Sequence, residues 1–131
     1  MGARPPIIAD LGGVAVGDGR PVALMGVINV SPESFHAGSV ARDTAAAVKA
    51  ARVMVEQGAA LIDVGARSTA PYLPTEISEA EETERLATAV AAIVAEVPVP
   101  VSADACRPGP VGAALEAGAR IVNDVSGLRD P

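Results

Sequence analysis

Four short apolar runs divide this chain, and each ends in a carboxylate or a carboxamide. They are VALMGVIN ending at Asn29, AALID at Asp63, VPVSAD at Asp104 and ARIVN at Asn123. Apolar runs of this length, bounded by turn residues and separated by helical patterns, read as buried parallel strands. Parallel neighbours need a crossover between them, so the chain alternates β-α-β-α-β-α-β. Side chains at the carboxyl ends of such strands converge on one face, where α/β proteins bind ligands and do chemistry. One polar strand end is commonplace. Four in succession predict a site.

The segments between the runs supply the rest of the pattern. Gly12, Gly13, Gly17 and Gly19 surround short apolar pairs, which predicts a hairpin or plug over residues 1–20 ahead of a main unit over 21–131. Strands are expected at about 22–29, 60–64, 99–104 and 120–125. A first helix is expected at about 42–57, with Asp43 or Thr44 near its start, Gly58 as its stop, and Ala46, Val48, Val53 and Val55 as its inner face. Ser78 followed by Glu81 is a capping box, and the helix it opens carries Leu86, Val90, Ile93 and Val94 at helical spacing to about 96. Pro108 or Pro110 suits the first turn of a short helix that stops at Gly118. Doubly wound sheets and barrels share this alternation. The absence of G-x-G-x-x-G after the first strand argues against a dinucleotide fold.

At 131 residues the chain amounts to about one domain. It has one Phe, one Tyr and no Trp although half its residues are hydrophobic, so the core must be built from Ala, Val, Ile and Leu. A net charge of −6 disfavours nucleic acid and anionic membranes as partners, since both demand a basic footprint. The single cysteine, Cys106, excludes an internal disulfide and fits a reducing compartment. MGARPPII lacks the apolar stretch of a signal peptide, and no run reaches membrane-spanning length, so a cytoplasmic location is expected.

Each polar strand end has a plain reading beside its functional one. Asn29 can begin a turn by bonding its own backbone. Asp104 follows a buried strand, so it either caps the helix near Pro108 or accepts two hydrogen bonds from a ligand. Asp63 reads as structural, bonding loop backbone beneath the site. Asn123 with Asp124 offers the donors and acceptors that a heterocyclic edge requires. In the loops, Ser31, Ser34, Ser68 and Thr69 supply hydroxyls, and Arg67 supplies a guanidinium matched to phosphate geometry. Phe35 and Tyr72, the only aromatics, both fall in post-strand loops. His36 and Cys106 are each single, which makes neither a zinc site nor a catalytic pair.

These segments also resemble a known family. MGVINVSPESF is similar to the first signature of the dihydropteroate synthases, and LIDVGARSTAP to their second. VSADAC and ALEAGARIVNDVSGL are similar to the segments that follow, in the same order and spacing from about residue 21 to 131. The Ser-Thr-Ala-Pro-Tyr variant is similar to archaeal-type and related bacterial members. The resemblance implies a TIM-type (β/α)8 barrel, of which this chain would hold the first four βα units. It implies condensation of 6-hydroxymethyl-7,8-dihydropterin pyrophosphate with p-aminobenzoate in folate biosynthesis, with pyrophosphate leaving first or early and the arylamine attacking the cationic methylene. By position, it implies that Asp104 and Asn123 bind the pterin and that Asn29 lies at Mg2+ and pyrophosphate. Ser31, Arg67, Ser68 and Thr69 then belong to the loops that close over pyrophosphate and shape the aminobenzoate site. A homodimer is implied for the full-length protein.

Departures from the family pattern are specific. The second signature has Arg67 where the family has glutamate and Ala70 where it has arginine, so a charge has moved. The first has Glu33 for Asp and His36 for Ser. The family's later aspartate, lysine and Arg-x-His segments have no counterpart in these 131 residues, so a fragment of a longer enzyme is expected. Two other readings are carried forward: a pterin-binding methyltransferase domain, and a noncatalytic half barrel that binds only a ligand or partner. The paired loop signatures, suited to pyrophosphate, favour the synthase.

Overall fold

The computed structural model describes residues 2–31, 40–67 and 77–129. Among them the elements run β1 (Ile8–Leu11), β2 (Val14–Gly17), β3 (Leu24–Asn29), α1 (Val40–Glu56), β4 (Ala59–Gly65), α2 (Glu79–Val94), β5 (Val101–Asp104), α3 (Pro108–Glu116) and β6 (Ile121–Asn123). The expected alternation is present, and β3, β5 and β6 end on Asn29, Asp104 and Asn123. Strand β4 runs two residues past Asp63, because Gly65 pairs with Asn29 on one side and Asp104 on the other. Strand β5 starts at Val101 rather than 99, since Pro100 has no N–H to give a ladder.

The main sheet has the order β3-β4-β5-β6, every pair parallel. Each strand adds next to its predecessor and the order never reverses. A doubly wound sheet reverses at its switch point and carries helices on both faces. Here Ile28, Ile62, Val64, Val101 and Ala103, which share one face, join a single buried cluster with Ala47 and Ala51 of α1, Leu86, Val90 and Ile93 of α2, and Ala114 of α3. Sequential winding with every helix on one face is the barrel arrangement. The tertiary structure thus separates the two architectures that the alternation left open.

The register puts Met25, Val27 and Asn29, Asp63, Ser102 and Asp104, and Ile121 and Asn123 on the opposite face. In a closed barrel this face is the interior. Met25 and Val27 are 46% and 59% exposed along the outer strand β3.

The helices follow from their sequences, with one correction. Ser78 caps α2 through its side chain, which accepts the Glu81 N–H at 3.1 Å. Leu86, Val90 and Ile93 then point into the core, each contributing about 1.5–3 kcal/mol on full burial. The inner face of α1 is only partly the expected one: Val48 and Val55 pack against the core, but two alanines lie at its centre. Ala47 and Ala51 are fully buried, whereas Ala46 and Val53 face solvent. Small side chains let this helix approach the sheet closely, and Val48, Met54 and Val55 flank the contact. Packing distance outweighed hydrophobicity.

The N-terminal hairpin is as expected. Strands β1 and β2 are antiparallel, with Leu11 opposite Val14. Gly12 and Gly13 form the two-residue turn at φ +62° and +105°, the positive values that a type I′ turn requires at both positions. The turn docks under the sheet. A Cβ on Gly12 would stand 3.0 Å from Pro100 Cβ and 3.2 Å from Arg120 Cβ, at the amino ends of β5 and β6.

Candidate functional site

Parallel register brings the polar strand ends together. Asn29 pairs with Gly65, Gly65 with Asp104, and Asp104 with Asn123, so one row crosses the sheet at its carboxyl edge. Gly65 matters in this row because it has no side chain. The Asp104 carboxylate leans over it, and a Cβ there would lie 3.3 Å from Asp104 Oδ2.

Asp104 does not cap α3. The cap position is Arg107, whose side chain makes no capping bond. Among the described residues the Asp104 carboxylate has no hydrogen-bond partner, so its acceptors remain available to a ligand. Burial pushes its pKa from 3.8 to about 6, and the nearby charges of Asp63 and then Glu82 push in the same direction. The group is thus poised to carry or release a proton close to neutral pH.

Asp63 corrects the sequence expectation. Its partner is a side chain rather than loop backbone: Oδ2 accepts the Nδ2–H of Asn123 at 3.1 Å, reaching over β5. Asp63 is 2% exposed, and among the described residues its buried Oδ1 has no hydrogen-bond partner. Asn29 takes the turn geometry, with Oδ1 accepting the Ser31 N–H at 2.9 Å. A carbonyl oxygen has two lone pairs, so one acceptor site on Asn29 is not used by that bond. Ser31 is fully buried beside it.

Arg67 follows β4 and makes no ion pair among the described residues. It lines a small cleft with Glu82, Asp104, Ala105, Cys106 and Val125. At about 10 Å³ the cleft has room for a single water and is too small for a heterocycle. A roomier groove of about 350 Å³ lies at the other end of the strands, between Gly12, Val97, Pro98 and Arg120, and no carboxylate lines it. Ser68 and Thr69 lie outside the described residues, as do Ser34, Phe35, His36 and Tyr72. Among the described residues no group of three His, Cys, Asp or Glu side chains could hold a metal ion.

Three supporting ion pairs escaped sequence reasoning. Glu82, 2% exposed, receives the Arg107 guanidinium, with Nε at 2.6 Å, and Arg107 also donates to the Ile77 carbonyl at 3.2 Å. This pair ties the start of α2 to the loop after Asp104. Arg85 reaches Asp43 at 3.6 Å and Glu81 at 3.2 Å, and donates to the Val30 carbonyl just beyond Asn29 at 3.4 Å. A signal was present for Glu82: it stands four residues before Leu86 and so on the same inward stripe.

A singly wound parallel sheet, helices on one face and a row of acceptors along the carboxyl edge define the barrel class of α/β ligand-binding enzymes. Within that class the chain belongs to the pterin binding enzyme family, whose pattern matches residues 25–131. It is 47% identical over 109 residues to a probable bifunctional folylpolyglutamate synthase/dihydropteroate synthase of Haloferax volcanii, covering 83% of this chain and 13% of that protein. It is 38% identical over 108 residues to the dihydropteroate synthase of Escherichia coli, covering 82% and 38% respectively. Among solved structures, the Xanthomonas albilineans dihydropteroate synthase with 4-aminobenzoic acid superposes with a TM-score of 0.81 at 35% identity, over 97% of this chain and 46% of that one. The chain therefore spans less than half the length of each of these relatives.

Proposed function

We propose that the protein carrying this chain is a dihydropteroate synthase, joining 6-hydroxymethyl-7,8-dihydropterin pyrophosphate to p-aminobenzoate. One observation carries the proposal: Asp104 and Asn123 stand in register at the ends of adjacent strands, with the Asp104 acceptors unused among the described residues. In this reading the two side chains hold the N–H-rich edge of the pterin. The C–O bond to pyrophosphate breaks, the amine nitrogen forms the new C–N bond to the methylene, and the amine loses a proton.

Arg67, Ser31, Ser68 and Thr69 take the anion side in this proposal, where positive charge and fixed donors stabilise the charge growing on the leaving group. Asn29 would hold Mg2+ through its amide oxygen. A lone amide oxygen is a poor cage but a plausible donor for this ion, which keeps several waters and takes few protein oxygens beside substrate phosphates. When bound, the ion neutralises charge on the departing pyrophosphate. A cytoplasmic location and a homodimer belong to the same proposal.

Pyrophosphate release from the pterin pyrophosphate, measured with and without p-aminobenzoate and Mg2+, tests the reading. The synthase assignment requires release coupled to dihydropteroate formation. Binding of pterin without turnover by the full protein would sink it in favour of a binding domain.

A further inference from the structure

Asp63 is the least explained polar group in the structure. It sits in mid-sheet, 2% exposed, with one carboxylate oxygen lacking a hydrogen-bond partner among the described residues. An apolar residue at a buried strand position would avoid that cost. Its one side-chain bond goes to Asn123, over the intervening strand. That bond settles an ambiguity which Asn123 alone would leave open. A carboxamide can turn either its oxygen or its NH2 toward a ligand, and the two are nearly equal in shape. A carboxylate only accepts, so Asp63 holds the Asn123 NH2 toward itself. The Asn123 oxygen is then turned away from Asp63, on the sheet face that also carries Asp104.

We propose that Asp63 is a positioning residue that locks the Asn123 amide so that Asn123 and Asp104 both present acceptors. The locked pair selects a heterocycle edge carrying an amino group beside a ring N–H over one with a carbonyl in place of the amino group. This deepens the pterin reading and rests on it. A carbonyl on the ligand would meet acceptors on both sides, and unpaired acceptors discriminate far more sharply than lost apolar contact. Asp63 itself touches no ligand in this scheme.

The test is calorimetric titration of the full chain with 6-hydroxymethylpterin and with 6-hydroxymethyllumazine, its 2-oxo counterpart. The native protein should prefer the amino form by about 100-fold or more, the scale set by unpaired polar groups in a recognition site. Asp63→Asn is isosteric but leaves both amides free to turn, so the preference should fall to within about 3-fold. The exchange variant Asp63→Asn with Asn123→Asp restores a donor at 63 and an acceptor at 123, and should recover the preference. If Asp63→Asn fails to fold, Asp63→Leu takes its place: it removes the bond that holds the Asn123 amide together with the unpaired buried oxygen, so the preference should again fall to within about 3-fold, and an unchanged preference overturns the inference. An unchanged preference in Asp63→Asn, or an exchange variant that binds both compounds equally, overturns the inference and leaves the pterin reading standing. Failure of the native protein to bind 6-hydroxymethylpterin overturns both.

Discussion

The carboxylate of Asp104 rests over the bare Cα of Gly65, in the register that pairs these two residues across β4 and β5. The contact is tight enough that a methyl group at 65 must displace Asp104 by a few tenths of an ångström. Gly65 needs no left-handed backbone, so alanine there is conformationally acceptable. Gly65→Ala should therefore leave the fold intact and weaken affinity for a pterin analogue by about 10-fold, the equivalent of one impaired hydrogen bond. Calorimetry with a parallel thermal melt checks it; an unchanged affinity would show that the Asp104 position does not matter to the ligand.

Asp104 also sets a pH dependence. Its pKa is raised from 3.8 to about 6, so the folded state holds the proton more tightly than the unfolded chain. The contribution of this group to stability is therefore fully present below 3.8 and is lost as pH rises through about 6. Ligand binding runs the other way, because two acceptors require the ionised form. Pterin affinity should rise through about pH 6, and Asp63→Asn, by removing a neighbouring negative charge, should move that midpoint downward. Binding measured across this range, with Asp104→Asn as a control lacking the titration, provides the check.

The Glu82–Arg107 pair is buried on one side only, since Glu82 is 2% exposed and Arg107 24%. Arg107→Met strands the Glu82 charge and should cost about 3–5 kcal/mol. Glu82→Gln should cost less, because the Arg107 head can reach water. Replacing both by apolar residues should recover much of the loss, as is often found for buried pairs. Urea denaturation of the three variants ranks them, and equal losses in both single variants would contradict this account.

Helix α1 offers a contrast in packing. Ala47 is fully buried against the sheet, whereas Val53 is 42% exposed. Ala47→Leu should destabilise by about 1–3 kcal/mol through overpacking. Val53→Ser should stay within about 0.5 kcal/mol of the native protein. Thermal melts distinguish this face from the one that the valine spacing indicates.

Much of the protein is written locally. The apolar runs, the Gly12–Gly13 turn, the Ser78 cap and the Gly58 and Gly118 stops each act over a few residues, so sequence alone determined the strands, the helices and their order. The motifs around Asn29, Asp104 and Asn123 likewise determined the family, because they are contiguous strings. Tertiary structure decided what depends on residues far apart in the chain. The choice of barrel winding over a doubly wound sheet rests on strand order, which alternation does not encode. The inner face of α1 depends on how closely it approaches the sheet, which made alanines core and left a valine outside. The bond between Asp63 and Asn123 joins residues sixty apart, and only parallel register brings them within reach. Local chemistry named the acceptors; the sheet decided which way they face.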